Sequence, residues 1–211
     1  PYYYIMNTDI VGCFISIPKC ASKTILDMFK LGHNRDNHFS EKSEQCIIYE
    51  NHKTLKLLEK KYNLTGKYIF AFVRHPYDRV ISWFYYHIDN DTYKSFTLNE
   101  WIKAGCKTHW RVQNGTNWAK EGISPLLQYN FIDGTSKVDY IGKFENFDED
   151  CKTIVSDLND RLHPEHPKRI TYKNIIKNKN KHIKKDVLTD ESKEIIYNLF
   201  KKDFDYFQYD K

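Results

Sequence analysis

The chain has 211 residues, a net charge of +5, a hydrophobic share of 40% and an aromatic share of 16%. This composition excludes a chain that is disordered as a whole, and the length suits one domain with its own hydrophobic core. No apolar run approaches the roughly eighteen residues of a membrane span, and no basic-then-apolar leader opens the sequence. We therefore expect a single soluble domain over residues 1–211, in the cytoplasm or in a lumen after loss of an anchor.

Short apolar runs alternate with segments whose apolar residues have helical spacing. The runs predict strands over 10–17, 46–49, 67–73 and 138–144. The first three strands are followed by apolar helical faces, formed by Ile25, Met28 and Phe29, by Leu55, Leu58 and Tyr62, and by Val80, Ile81, Phe84 and His87. A fourth helix opens at Asp148, and the last begins near Thr189 and carries Ile195, Ile196, Leu199 and Phe200. Since strands that alternate with helices pair in parallel, the predicted class is α/β, with a central parallel sheet flanked by helices.

The cysteines occur at Cys13, Cys20, Cys46, Cys106 and Cys151, an odd number without a C-x-x-C pair. This pattern excludes a disulfide framework and a zinc ribbon. Cys13 and Cys46 lie in apolar runs with strand character, where we expect small buried thiols.

The positive charge is concentrated between residues 161 and 185, where nine Lys and Arg accompany a single acid, Glu165. We call residues 161–185 the basic segment. A local basic segment on a nearly neutral body indicates a discrete anionic partner, with a solvated lysine-rich loop as the alternative.

Three polar clusters, residues 18–24, 50–52 and 74–82, each come directly after a predicted strand. Because the carboxyl ends of parallel strands meet at one edge of a sheet, and ligands bind beyond that edge, we expect the three clusters to converge there.

The first cluster, PKCASKT, turns from a strand into a helix over small residues. Such a turn aims backbone N–H groups outward at a helix N-terminus, and Lys19 and Lys23 add positive charge, so the cluster predicts an anion cradle suited to phosphate. A nucleoside-triphosphate loop would require glycines at positions 17 and 22, where this chain has Ile17 and Ser22.

The second cluster places Arg74 at a strand end and Ser82 two helical turns later. A guanidinium and a hydroxyl could hold a second phosphate between them. The alternative is an Arg74 that pairs with Asp78 and a Ser82 that faces the helix surface.

IPKCASKTI after a strand, followed some fifty residues later by FAFVRHPYDRVISWFYYH, resembles the sulfotransferases that use 3′-phosphoadenosine 5′-phosphosulfate (PAPS). More narrowly, the pair is similar to the carbohydrate O-sulfotransferases of the Golgi type. The resemblance continues through VDYIGKFENFDED and LTDESKEIIYNLFKKDFDYFQY, so that it spans most of the chain from Ile10 to Tyr209 and leaves 85–123 and 161–185 unmatched. It implies one P-loop-like sulfotransferase domain of three layers.

The resemblance assigns the 5′-phosphosulfate to Lys19 and to the turn formed by Cys20, Ala21, Ser22, Lys23 and Thr24. It assigns the 3′-phosphate to Arg74 and Ser82. The sequence departs from the family at His75, where Asp is common, and at positions 20 and 23, where small residues are more usual than Cys and Lys. Lys23 either adds a second positive charge at the phosphosulfate or faces solvent.

Sulfuryl transfer to a hydroxyl needs electrostatic stabilisation of the leaving adenosine 3′,5′-bisphosphate, which Lys19 can provide, and a base for the acceptor proton. Histidine titrates near neutral pH. His52 follows the second strand, and residues 50–53 resemble the stretch that carries the catalytic histidine in the heparan 2-O-sulfotransferase branch. We therefore predict that His52 is the base, with His38 and Glu50 as alternatives.

The acceptor side has weaker signals. The middle of the chain is rich in Trp and Tyr, which stack on sugars or, more commonly, pack in the core: Tyr85, Tyr86, Tyr93, Trp101, Trp110 and Trp118. The basic segment could hold the 3′-phosphate or an anionic glycan, and within it the roles of Lys179 and Lys181 stay open. The acceptor, the sulfated position and the oligomeric state do not follow from the sequence.

Two other functions compete with this one. A P-loop kinase would need Mg²⁺ and a carboxylate to hold it, for which Asp139 is a weak candidate. A nucleic-acid-binding module would use the basic segment and bind with steep salt dependence, but it would leave the three polar clusters unexplained. We expect no metal and no nucleic acid, because no carboxylate-rich cluster is apparent and Lys and Arg can neutralise the phosphates.

Overall fold

The structure is a computed structural model that describes residues 10–29, 46–88, 91–108, 124–166, 169–172 and 187–211. The chain divides into two units, the first comprising Pro1–Val73 with Phe131–Lys177 and the second comprising Arg74–Asn130 with Asn178–Lys211. The interpretation of residues 1–211 as one domain stays a prediction.

The first unit contains a four-stranded sheet in which all strands are parallel. The strands are β1 (Gly12–Ile15), β2 (Ile47–Glu50), β3 (Tyr68–Val73) and β4 (Tyr140–Lys143), in the spatial order β2-β1-β3-β4. The register pairs Ile15 with Glu50 and with Ala71, so that β1 and β2 end side by side. The prediction of an α/β class with a central parallel sheet is confirmed.

Helices separate and follow these strands. In chain order they are α1 (Ser22–Met28), α2 (Leu55–Lys61), α3 (Pro76–His87), α4 (Asp91–Lys94), α5 (Leu98–Lys103), α6 (Tyr129–Ile132), α7 (Phe147–Asp160), α8 (Asp190–Leu199) and α9 (Lys201–Phe207), with a short 3-10 helix over Phe144–Asn146. Among the described residues, no helix combines the length and apolar character that a bilayer crossing requires.

The core of the sheet is aromatic. Phe14 of β1 and Phe70 of β3 stack with their ring centres 5.2 Å apart, and Phe29 after α1 packs against Phe70 at 5.7 Å. All six residues of β3 are buried. Gly142 of β4 lies under the ring of Phe72, and a Cβ at this position would come within 2.6 Å of that ring. The sequence therefore needs glycine where β4 joins the sheet.

All five cysteines are buried and carry free thiols. Burial raises the pKa of Cys13, Cys106 and Cys151 to about 12, so these thiols stay protonated at neutral pH. The expectation of buried thiols at Cys13 and Cys46 is confirmed.

The second unit has its own aromatic core. Trp101 and Tyr93 are almost fully buried, and the Trp101 ring centre lies 5.4 Å from that of Phe84 on α3. The Trp83 indole donates a hydrogen bond of 3.3 Å to the Tyr93 hydroxyl. Trp101 and Tyr93 thus serve core packing, whereas Tyr86 is 68% exposed. Trp110 and Trp118 lie outside the described residues.

The last predicted helix begins at the predicted place, and a further short helix follows it. Thr189 caps α8, because its hydroxyl accepts the N–H of Ser192 at 3.1 Å. Phe200 leaves helical geometry, with φ −119° and ψ 25°, and α9 starts after it. The predicted helix is confirmed as α8, and α9 is an additional helix that was not predicted. The kink lets Phe200, Phe204 and Phe207 all be buried.

Candidate functional site

The turn between β1 and α1 has an unusual backbone. Lys19 and Ala21 both adopt positive φ, at 65° and 61°, a conformation that costs a residue with a side chain about 1–2 kcal/mol. Ala21 is the N-cap of α1, and its methyl group cannot accept the N–H groups that a helix leaves unpaired in its first turn. The first-turn N–H groups of α1 therefore have no side-chain cap, and the anion cradle at this turn stays a prediction.

Contacts within the turn hold this conformation. Cys20 is 1% exposed, and its thiol lies 3.6 Å from the Pro18 carbonyl oxygen. The Ser22 hydroxyl donates to the Ile17 carbonyl at 3.0 Å, so this hydroxyl proton is committed to the turn. We expect Ser22 to meet an anion through its backbone N–H. Lys23 is exposed, while Lys19 and Thr24 are half-buried.

His52 lies where β2 ends, and its backbone is also left-handed, with φ 53°. Its Nδ1 is 2.9 Å from the Ser16 carbonyl oxygen and 3.2 Å from the Ser16 hydroxyl. A carbonyl oxygen can only accept, so the Nδ1 carries the proton and the Nε2 is the basic nitrogen of the neutral ring. This tautomer is the one that a base acting through Nε2 requires. The bond also ties the cluster of residues 50–52 to the end of β1.

Glu50 is committed to an ion pair. Its carboxylate accepts from Lys61 Nζ at 2.5 Å and from the Tyr62 hydroxyl at 2.6 Å. Burial alone would raise the pKa of Glu50, but the hydrogen bonds from Lys61 and Tyr62 and the Lys61 charge outweigh it and lower the pKa. A carboxylate with a lowered pKa is a weaker base, which favours His52 over Glu50. The third candidate, His38, lies outside the described residues.

The ion pair of Glu50 predicts a pH-dependent contribution to stability. Because the pKa of Glu50 is lowered in the folded chain, its stabilisation is present above the unfolded pKa of a glutamate and is lost as pH falls through the folded pKa. We expect Glu50→Gln to lower the free energy of unfolding by about 1 kcal/mol at pH 7 and by less near pH 3. Urea unfolding at both pH values measures this. Glu165→Gln, at an exposed glutamate, is the control. An equal loss at both pH values would contradict the prediction.

Arg74 and Ser82 belong to the second unit. Arg74 is half-buried, its backbone N–H donates to the Gln128 Oε1 at 2.9 Å, and its carbonyl accepts from the Gln128 Nε2 at 2.9 Å. Ser82 is half-buried on α3. The expected convergence of residues 74–82 with the other two clusters stays a prediction.

His75 caps α3 at the position where the resembled family has Asp. Its Nδ1 accepts the N–H of Tyr77 at 3.3 Å, and Pro76 follows at the first helical position. An imidazole nitrogen therefore caps α3 in this chain. This departure leaves the start of α3 intact.

Two polar residues near Arg74 were not predicted from the sequence. Gln128 is fully buried, but its partner Arg74 lies 54 positions away in the chain, so no local sequence pattern predicts this contact. Arg79 is also buried, and its guanidinium donates to the carbonyls of Pro125 and Leu126, each at 2.6 Å. The signal for Arg79 was its place in the RHPYDRV stretch, where its helical phase with Val80 and Trp83 puts it on the buried side of α3.

A known protein family matches nearly the whole chain. The family model described as the Sulfotransferase family matches residues 2–210. No curated protein and no solved structure matches the chain. The family match covers both units, including the β1–α1 turn, His52 and Arg74, and it confirms the resemblance at the level of the family. The chain therefore belongs to the sulfotransferase family.

Proposed function

We propose that this sulfotransferase moves the sulfuryl group of PAPS to a hydroxyl, and that the hydroxyl belongs to a carbohydrate. The observation that carries the proposal is that the uncapped β1–α1 turn and the imidazole of His52, held through Nδ1 by Ser16, both lie at the end of β1. Family membership supports sulfuryl transfer, and the motif resemblance supports PAPS as the donor.

The residues of the turn suit the donor's 5′-phosphosulfate. The first-turn N–H groups of α1 lack a side-chain cap, and Lys19 and Lys23 lie in the same seven-residue stretch. We assign this stretch to the 5′-phosphosulfate, with Lys19, Cys20, Ala21, Ser22, Lys23 and Thr24 as the binding residues, and we assign the 3′-phosphate to Arg74 and Ser82. When bound, the donor supplies the sulfuryl group and departs as adenosine 3′,5′-bisphosphate.

His52 accepts the proton of the acceptor hydroxyl at Nε2. The Ser16 carbonyl fixes the ring orientation and holds the other proton on Nδ1, so the ring does not have to change tautomer before it acts. Ser16 is itself fully buried at the end of β1, which gives the imidazole a rigid support.

Lys19 supplies positive charge at the turn. The leaving bisphosphate gains negative charge on its bridging oxygen as the transfer proceeds, and a nearby ammonium group stabilises that charge more strongly in the transition state than before it. Because Lys19 adopts positive φ within a turn fixed by Cys20 and Ser22, its Cα position is preorganised.

The carbohydrate acceptor rests on the resemblance of residues 50–53 to the heparan 2-O-sulfotransferase branch. Two described members of the basic segment are already engaged in the first unit. The Arg161 guanidinium lies 5.1 Å from the ring centre of Tyr68, and the Arg169 guanidinium donates to the Asn159 carbonyl at 3.2 Å. Residues 173–185, with Lys179 and Lys181, lie outside the described residues.

The test is a transfer assay with ³⁵S-labelled PAPS and a panel of desulfated glycosaminoglycans, other polysaccharides and small phenols. We expect label to pass to a polysaccharide, and to do so equally with EDTA and with Mg²⁺, because Lys and Arg neutralise the phosphates. Label on phenols alone would overturn the carbohydrate acceptor. Transfer that EDTA abolishes and Mg²⁺ restores would overturn the metal-free reaction.

Donor discrimination gives a second measurement. Adenosine 3′,5′-bisphosphate at a hundredfold excess over its dissociation constant stabilises the folded chain by about 2.7 kcal/mol. We expect AMP at the same concentration to stabilise it far less, because AMP lacks the phosphate that we assign to Arg74 and Ser82. Thermal unfolding with each nucleotide, with ATP-Mg²⁺ and with an oligonucleotide checks this. Equal shifts from bisphosphate and AMP would contradict the assignment of Arg74 and Ser82.

A further inference from the structure

A buried polar relay in the second unit runs from α9 to the backbone of Arg74. Gln128 uses both ends of its side-chain amide on one residue, since it accepts from the Arg74 N–H and donates to the Arg74 carbonyl, each at 2.9 Å. A neighbouring strand would make the same pair of bonds with a peptide group. The amide therefore fixes the backbone on both sides of the Arg74 Cα, and with it the direction in which the side chain leaves.

Asp203 of α9 in turn fixes Gln128. One carboxylate oxygen accepts from the Gln128 backbone N–H at 2.8 Å and from its side-chain Nε2 at 3.4 Å. The other oxygen accepts from the Tyr129 N–H at 2.9 Å. Asp203 and Gln128 are both fully buried. Three N–H groups thus converge on one buried carboxylate, and the amide can be oriented in only one way, with Nε2 toward Asp203 and Oε1 toward the Arg74 N–H.

A buried carboxylate is costly unless it is compensated. Burial raises the pKa of Asp203, while the N–H groups of Gln128 and Tyr129 and the charge of Arg79 favour its ionised form. Arg79 also holds the segment before Gln128, through the carbonyls of Pro125 and Leu126. Apolar side chains could fill this space with equal stability if packing were all that the fold required. Gln128 instead makes two directed hydrogen bonds to the Arg74 backbone.

We infer that Gln128 and Asp203 are positioning residues that set the affinity for the donor's 3′-phosphate through Arg74. This inference rests on the proposed role of Arg74 in binding that phosphate. It predicts that loss of the relay weakens the recognition of the 3′-phosphate selectively, and leaves the binding of the rest of the nucleotide unchanged.

The experiment measures the dissociation constants of adenosine 3′,5′-bisphosphate and AMP by calorimetry, and takes their ratio for each full-length variant. In Gln128→Met, which keeps the side-chain length and removes both bonds to Arg74, we expect the bisphosphate to bind about tenfold more weakly and AMP to change less than about twofold. Asp203→Asn keeps the shape of the carboxylate but places an amide NH₂ group against the three N–H groups that Asp203 accepts. We expect the ratio of the two dissociation constants to change in the same direction in this variant. If Gln128→Met does not fold, the Asp203→Asn ratio decides.

Asn99→Leu is the matched control. The Asn99 amide also bridges two backbone groups of the second unit, because it donates to the Val187 carbonyl and accepts from the Thr189 N–H, both at 3.2 Å. These two hydrogen bonds do not involve Arg74. We expect this variant to lower the melting temperature and to keep the wild-type ratio, since a purely structural loss affects both nucleotides alike.

Arg74→Ala separates the inference from the function on which it rests. If the wild type prefers the bisphosphate and Arg74→Ala removes the preference, while Gln128→Met and Asp203→Asn keep it, the relay role is overturned and the proposed function stands. If the wild type itself binds both nucleotides equally, the proposed 3′-phosphate site fails, and the relay role fails with it.

Discussion

His52→Ala lowers the turnover number by about 10²- to 10⁴-fold, the range expected when a general base is lost. Binding of adenosine 3′,5′-bisphosphate stays nearly unchanged, because His52 acts on the acceptor hydroxyl and is held by Ser16 rather than by the phosphates. Steady-state transfer on a verified acceptor, together with calorimetry of the bisphosphate, measures both quantities. The expected result is a fall in kcat with an almost constant nucleotide affinity.

The controls for this prediction are chemical and structural. His163→Ala removes an exposed histidine of the same unit and should leave turnover at the wild-type level. His52→Ala must melt within a few degrees of the wild type, since His52 also bridges two strand ends. If His52→Ala folds normally and retains near-normal turnover, the base lies elsewhere, and His38 and Glu50 are the next residues to replace.

Lys19→Ala also lowers turnover strongly, but unlike His52→Ala it weakens nucleotide binding as well. We expect about a 10²- to 10³-fold loss of turnover, the size seen when one electrostatic contact to a developing negative charge is removed. Nucleotide binding also weakens, because the ammonium charge meets the phosphosulfate before as well as during transfer. Alanine keeps a Cβ at this position of positive φ, so the backbone cost stays the same and the change isolates the charge.

Lys23→Ala is the matched control for Lys19→Ala. Both are lysines of the β1–α1 stretch, but Lys23 is exposed on the first turn of α1 whereas Lys19 is half-buried in the turn itself. We expect Lys23→Ala to reduce turnover by less than about tenfold, as for a solvent-screened charge. Equal losses in the two variants would mean that the turn uses general positive charge and that Lys19 has no special role.

Much of the fold was predictable, because its strands are short apolar runs with clear boundaries in the sequence. The prediction 46–49 became Ile47–Glu50, and 67–73 became Tyr68–Val73, within one residue at each end. The order of the strands was not predictable, because it depends on contacts such as the ring of Phe72 over Gly142 that no local pattern encodes. The helix α9 after Phe200 was not predicted, although its Phe204 and Phe207 are buried.

The candidate site, too, was predictable from the sequence only in part. Lys19, His52 and Arg74 follow predicted strands, and the family resemblance assigned their roles. The tautomer of His52 required the position of the Ser16 carbonyl, which lies 36 residues earlier in the chain. Gln128 and Asp203 act through partners 54 and 75 residues away, and buried polar residues of this kind look like ordinary loop or surface positions in a sequence.

The left-handed residues of the β1–α1 turn have a consequence for the speed of donor capture. A loop of glycines would sample many conformations and would have to be ordered by each arriving nucleotide, which slows productive encounters. Here the buried Cys20 and the Ser22–Ile17 hydrogen bond hold the turn in one conformation before any ligand arrives, against the cost of positive φ at positions 19 and 21. Nucleotide association at this turn should therefore be a single bimolecular step, with an observed rate that rises linearly with nucleotide concentration and reaches no plateau.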